Sequence, residues 1–444
     1  MSEAPSVPAA RGGRRRLVWG TLLGLALVGG GLGVVLALRS GRRPPPVPSP
    51  DLAGADPAIS AVVGRARARA EAEPRSADAW GRLGMVLLAN SYTGESVACF
   101  TEAERLDAGE PRWPYYRGLA LLSNSPDEAA LALRHAVERS GPEEDGPRLR
   151  LAEVLLDLGR AAEAEPLLRQ VLAEAPDNAR AHLDLGLLLQ GRGDGGLDHL
   201  RRAAAAPATA RQAHTALAEA ALRGGDREGA ERERRRAAES PASPPLEPWL
   251  VEMRSLWVGR KASLARASEA LQQGRAGAAL GLMRQTVQEY PEDATAWTYL
   301  GRALLLQGRP APAEQALRQA VARGPDLTWA HFYLGVALLA QGRAGDAAGC
   351  FRTATRLKPA DAGAWFNLGL CLQKQGRPAE AADAFRTALR YKPDFLPART
   401  ALAELLLREG RRAEAVEQLE AALRLKPEDA HARGLLEKAR SSTP

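Results

Sequence analysis

Aromatic residues make up only 5% of this 444-residue sequence, and it contains just three cysteines and six lysines. A chain so poor in rings must build its core from Leu, Ala and Val, which suits thin helix-on-helix packing and disfavours a β-sandwich. Cys99, Cys350 and Cys371 make neither a disulfide framework nor a CxxC pair. Cys350 and Cys371 fall on successive helices and read as small packing residues rather than a redox pair. No HExxH, CxxCH, P-loop or GxSxG motif is present. The single GxGxxG, Gly191 to Gly196, follows a helix and has no βαβ unit around it, so it reads as a helix–helix turn. The six histidines (His135, His182, His199, His214, His331 and His431) are scattered without metal-ligand spacing. The sequence therefore predicts no enzyme, no metal and no cofactor.

The net charge of +7 suggests a nucleic-acid partner until it is located. Seven arginines and one acid lie in residues 1–50, and the remainder is within one charge of neutrality. Without a basic face, phosphate binding has no electrostatic footprint. The basic residues instead flank Leu17 to Leu38, a run with no charged residue. As a helix it would span about 33 Å, enough for the ~30 Å hydrocarbon core. A cleaved signal peptide is the rival reading. It has a shorter apolar core with a small-residue site just after it, whereas arginines and prolines come next here. Residues 1–16 are thus a basic tail, 17–38 a transmembrane helix and 39–57 a Pro-rich linker, stiff enough to lift the folded part off the bilayer. The arginine balance favours repeats outside the cytoplasm. Gly20-xxx-Gly24 and Gly29-xxx-Gly33 offer a close-packing face for a homodimer through this helix.

What the chain does have is a 34-residue beat. From Arg260, five consecutive frames put Gly274, Gly308, Gly342, Gly376 and Gly410 at position 15, each followed by Arg. Ala279, Ala313, Ala347, Ala381 and Ala415 occupy position 20, and Pro291, Pro325, Pro359, Pro393 and Pro427 position 32. Such a period means a solenoid whose units bury their apolar faces only against neighbours. Each frame predicts two helices with Gly-Arg as the turn, and Pro378 starts a second helix where its missing N–H costs nothing. A small residue at position 8 (Gly301, Gly335, Gly369) allows close helix approach. Less regular frames begin at Ala77, Asp145, near Ala179 and near Arg211.

These residues resemble the tetratricopeptide repeat. Its W-x2-LG-x2-[LY]…A-x3-F-x2-A…P pattern appears as Trp365, Leu368, Gly369, Leu372, Ala381, Phe385, Ala388 and Pro393. It appears again as Trp297, Leu300, Gly301, Leu304, Ala313, Leu317, Ala320 and Pro325. The resemblance implies an all-α, right-handed α-solenoid in two segments whose inner groove binds peptides or partner domains. A divergent segment spans 58–240, a linker and apolar insertion 241–259, five regular units 260–429, and a capping helix with tail 430–444.

In the resembled family, positions 2, 5, 9, 12 and 13 of the first helix face the groove. Here these give Thr298, Arg302, Trp329, Phe332, Phe366, Gln373 and Lys374, with Tyr333 and Asn367 at the edge. The rings serve either a partner peptide or packing between neighbouring helices. The carboxylate clamp of chaperone-binding members needs Lys at position 5 and Asn at position 9. Thr298/Arg302, Phe332/Val336 and Phe366/Leu370 do not match it. The expected function is a membrane-anchored scaffold of a bacterial cell envelope that binds a peptide or protein partner. The alternatives are an accessory, non-catalytic subunit of an envelope-building or cytochrome-maturation system, or an adaptor facing the cytoplasm.

Overall fold

The computed structural model describes residues 44–240 and 247–441. The expected basic tail, transmembrane helix and dimer face lie outside the described residues. Among the described residues no helix is long and apolar enough to cross a membrane. All regular structure among them is helical, in 23 helices. They divide into two compact units, one of residues 44–55 and 59–257, the other of 56–58 and 258–441.

The first unit takes α1 (Pro57–Ala72) from Ile59 onward and continues in helix pairs: α2 (Ala77–Ala89) with α3 (Thr93–Leu106), α4 (Arg112–Leu121) with α5 (Pro126–Arg139), and α6 (Asp145–Asp157) with α7 (Ala161–Glu174). Next come α8 (Ala179–Arg192) with α9 (Leu197–Ala204), and α10 (Ala210–Arg223) with α11 (Arg227–Glu239). A short helix, α12 (Pro248–Ser255), ends it. The second unit pairs α13 (Gly259–Gln272) with α14 (Ala276–Glu289), α15 (Ala294–Leu306) with α16 (Pro310–Arg323), and α17 (Thr328–Ala340) with α18 (Ala344–Leu357). It continues with α19 (Ala362–Lys374) and α20 (Pro378–Tyr391), then α21 (Leu396–Arg408) and α22 (Arg412–Leu425), and closes on α23 (Ala430–Ser441).

The Gly-Arg beat is the turn between the two helices of a pair. Gly274, Gly308, Gly342, Gly376 and Gly410 all have φ near +70 to +80°, the left-handed region that a side chain resists. The next arginine's N–H then reaches back across the turn, as Arg377 does to the Leu372 carbonyl at 3.0 Å. The position-32 prolines have a second use. The side chain six residues later bonds to the proline carbonyl: Trp297 to Pro291, His331 to Pro325, Trp365 to Pro359, Arg399 to Pro393 and Arg433 to Pro427. Trp80 and His182 make the same bond to Pro74 and Pro176 in the first unit. Asp293, Asp361 and Asp429 cap leading helices by accepting the N–H three residues on.

Position 8 fixes how closely the paired helices meet. A methyl group on Gly301 would lie 2.4 Å from Leu317, and on Gly369 2.5 Å from Phe385. The same contact recurs between Gly84 and Phe100, at 2.7 Å. Each unit has its own core, mostly Ala and Leu, with Phe351 and Phe385 in the second unit and Trp80, Phe100, Tyr115 and Tyr116 in the first.

Two sequence expectations change here. The Pro-rich stretch does not project freely where it is described: Pro50 is buried, and Val47 and Leu52 pack on the first unit's core. Residues 247–257, expected as linker and insertion, belong to the first unit and lie against its helices. Asp56 belongs with the second unit, where its carboxylate accepts from the Arg260 N–H at 2.8 Å and the Tyr290 hydroxyl at 2.7 Å.

Candidate partner-binding surface

In the second unit the expected groove residues lie on the leading helices α15, α17 and α19. α17 carries three rings in one cluster. The Trp329 ring stacks on Tyr333 at 5.9 Å, and Phe332 meets both edge-on, at 5.6 and 5.4 Å. Cations flank the cluster, with the Arg302 guanidinium 5.7 Å from the Tyr333 ring and the Lys358 ammonium 5.4 Å from Trp329. Trp329 is 45% exposed, while Phe332 and Tyr333 are half-buried. Burial pushes the Tyr333 hydroxyl upward from its usual pKa.

Phe332 and Phe366 stand 34 residues apart and do the same job. Each lies against the phenyl ring of its own pair's trailing helix, Phe351 and Phe385, and Phe366 also meets Phe395 edge-on at 5.4 Å. These two rings are therefore part of the packing as well as the surface. Thr298 is a correction: it is 1% exposed and its hydroxyl donates to the Ala294 carbonyl, so it offers nothing to a partner. The Asn367 amide donates to the Gly363 carbonyl one turn back. Gln373 is half-buried and Lys374 exposed in the last turn of α19.

Two open grooves of about 740 and 370 Å³ lie elsewhere in this unit. The larger is lined by Trp365, Leu368, Leu372, Arg352 and Glu380, and the smaller by Arg399, Leu402, Leu406, Arg386 and Glu414. Each residue of one stands 34 positions from its counterpart in the other, so both are the same gap between successive pairs. None of the expected groove residues lines either.

Two family profiles, both described as tetratricopeptide repeat, match this chain. One covers 264–328 and 330–394, the other 120–186 and 372–439, together more than half of the sequence. The chain belongs to the tetratricopeptide repeat family. Proteins of this family serve as protein-interaction scaffolds, and the fold is typically non-catalytic. No curated relative matches the chain. Among solved structures it is similar to TTC0263, a thermophilic TPR protein of Thermus thermophilus (29% identity, 40% of this chain and 97% of that one, TM-score 0.34). It is also similar to YrrB, a TPR protein with an unusual peptide-binding site (20%, 40% and 91%, TM-score 0.35), and to PilF of Pseudomonas aeruginosa (21%, 40% and 87%, TM-score 0.37).

The divergent tetratricopeptide unit holds a second surface that the sequence reading missed. Counting frames from Ala77 at 34-residue steps, position 6 of four leading helices is Arg82, Tyr116, Arg150 and Asp184. A polar chain runs across them. Tyr115 donates to Glu247, which accepts from Arg150 at 3.0 Å; Arg150 pairs with Glu153 at 2.6 Å, and Glu153 with Arg180. Arg180 then reaches Asp184 at 3.2 Å. Burial pushes the Asp184 carboxyl up to about 6, a rise that Arg180 opposes, and burial also raises Glu153. Burial and the nearby Glu247 raise the Tyr115 hydroxyl, which stays a donor. The only local signal was an unusual density of Tyr and Arg at groove positions.

The cysteines sit in packing environments. Cys99 and Cys371 are buried, which pushes their thiols up to about 12 and about 11. Burial also raises Cys350. His182 and His199 do come together, with ring nitrogens 2.8 Å apart, but among the described residues no third ligand joins them. Gly193, Gly195 and Gly196 form the turn from α8 into α9, all with positive φ.

Proposed function

We propose that the chain is a membrane-anchored interaction scaffold whose second unit captures a peptide or partner domain on the face of α15, α17 and α19. The observation that carries this reading is Trp329. A large ring left 45% exposed, stacked on Tyr333 and flanked by the cations of Arg302 and Lys358, is a rigid aromatic anchor of the kind that dominates binding energy. Flanking cations and the exposed Lys374 favour a partner that pairs apolar side chains with acidic ones. The uncharged run from Leu17 to Leu38, bracketed by arginines, supports a single-pass anchor in a bacterial envelope with the repeats outside the cytoplasm.

The test is capture from membrane extracts. Trp329→Ala and Phe366→Ala are expected to weaken capture, W329A without loss of helicity or melting temperature. Unchanged capture by both variants removes the proposed face. A reporter fused to the C-terminus reads the orientation, and activity only of a cytoplasmic reporter reverses the topology.

A further inference from the structure

The first unit's leading-helix face is already covered, and by a segment of the same chain. Residues 247–257 lie across α2, α4 and α6, and the way they are held differs from ordinary helix packing. No residue of α12 is fully buried, whereas every other helix of the unit buries at least two, and Val251 is 53% exposed. Leu256, just past α12, anchors the segment in the first unit's core, and the rest is held by side-chain recognition of its acids, its ring and its backbone.

The Glu247 carboxylate accepts from the Tyr115 hydroxyl and the Arg150 guanidinium, and it sits where Gly146 leaves room, since a methyl there would be 3.2 Å from it. The Trp249 ring meets Tyr115 edge-on at 5.0 Å, and its carbonyl accepts from the Tyr116 hydroxyl at 2.9 Å. Glu252 lies 3.6 Å from Arg82 and 3.9 Å from Arg112. At the far end the Leu256 carbonyl accepts from the Asn90 amide at 3.1 Å. Leu250 and Met253 supply the apolar contact. Two carboxylates, one ring and two backbone carbonyls are thus read by six side chains, five from three successive leading helices and Asn90 from the cap of the first. Hydroxyl and guanidinium donors aimed at carboxylates and main-chain carbonyls are the chemistry of peptide capture.

We infer that this face is a binding site for a short acidic, tryptophan-bearing helical peptide of the pattern Glu-x-Trp-x-x-Glu, and that Glu247 to Leu256 is its resident occupant, displaced when such a peptide arrives in trans. This site is independent of the one proposed for the second unit. Tethering sets the difficulty of displacement, because a segment joined by a short linker competes at an effective concentration of roughly millimolar. The intact chain therefore masks the site.

The experiment uses the full chain and a labelled peptide of residues 247–257, read by fluorescence anisotropy. The double variant Glu247→Ala, Trp249→Ala is expected to bind the peptide at least about tenfold tighter than wild type, the gain that removing a tethered competitor allows. Adding Arg150→Gln to that variant, or replacing both peptide glutamates by Gln, is expected to reverse the gain. Equal binding to wild type and the double variant, or a gain insensitive to both changes, overturns the inference. Should the double variant lose helicity, hydrogen exchange on wild type decides. Peptide at several millimolar is expected to speed exchange of the chain's own amides 249–256, and unchanged exchange there overturns the inference.

Discussion

The two units carry the same pair geometry but opposite states of the same face. In the first, positions 2, 5 and 6 of the leading helices supply Arg112, Tyr115, Tyr116 and Arg150, and residues 247–257 lie on them. In the second, the matching positions supply Trp329, Phe332 and Tyr333, and Trp329 stays exposed. The covered face is polar and hydroxyl-rich, while the open one is aromatic with cations at its rim. On the binding faces proposed above, the repeat scaffold sets where a partner would lie, and the few side chains at groove positions set its chemistry.

The largest effect tests whether the pair geometry really is shared. Gly84→Ala and Gly369→Ala put a methyl into Phe100 and Phe385 respectively. Each is expected to cost about 1–3 kcal/mol of its own unit's stability through overpacking, read by urea denaturation. A substantial loss in one variant and none in the other breaks the equivalence.

A smaller effect separates the covered ring from the open one. Trp249→Ala removes the edge-on contact with Tyr115 and is expected to lower the first unit's stability by about 0.5–1.5 kcal/mol. Trp329→Ala gives up ring contacts with Phe332 and Tyr333, but from a ring already 45% exposed, and is expected to cost less than Trp249→Ala while weakening capture. Equal losses would mean that both rings are packing residues.

The smallest effect is a pH dependence confined to the first unit. Asp184 has a carboxyl raised to about 6 from an ordinary 3.8. A group raised in the folded state contributes stability that is complete below the unfolded value and lost as pH climbs through the folded one. Wild type is therefore expected to lose ground to Asp184→Asn, by a few degrees of melting temperature at most, between pH 4 and pH 7. A difference that moves the other way would show that Arg180 keeps Asp184 ionised throughout.

Most of the fold was legible because its signals are local. A left-handed turn needs Gly at position 15, close approach needs a small residue at position 8, and the capping and proline-carbonyl bonds span three to six residues. The covered face was illegible for the opposite reason. Glu247 finds Tyr115 132 residues away and Leu256 finds Asn90 166 away, so no periodicity marks the pairing. Thr298 failed because a groove position names a direction along the helix and says nothing about which neighbour covers it. The charged stretch Arg232-Glu233-Arg234-Arg235-Arg236 costs the fold little, since Gly229, Ala230 and Ala237 supply the buried contacts of α11.

Site-specific photo-crosslinking in cells tests the contrast between the two faces most directly. A photoreactive phenylalanine analogue at Arg112 is expected to join residues 248–256 of its own chain, and the same group at Trp329 is expected to join other proteins. Capture of other proteins at position 112 in the resting chain, with only internal products at position 329, would contradict the account.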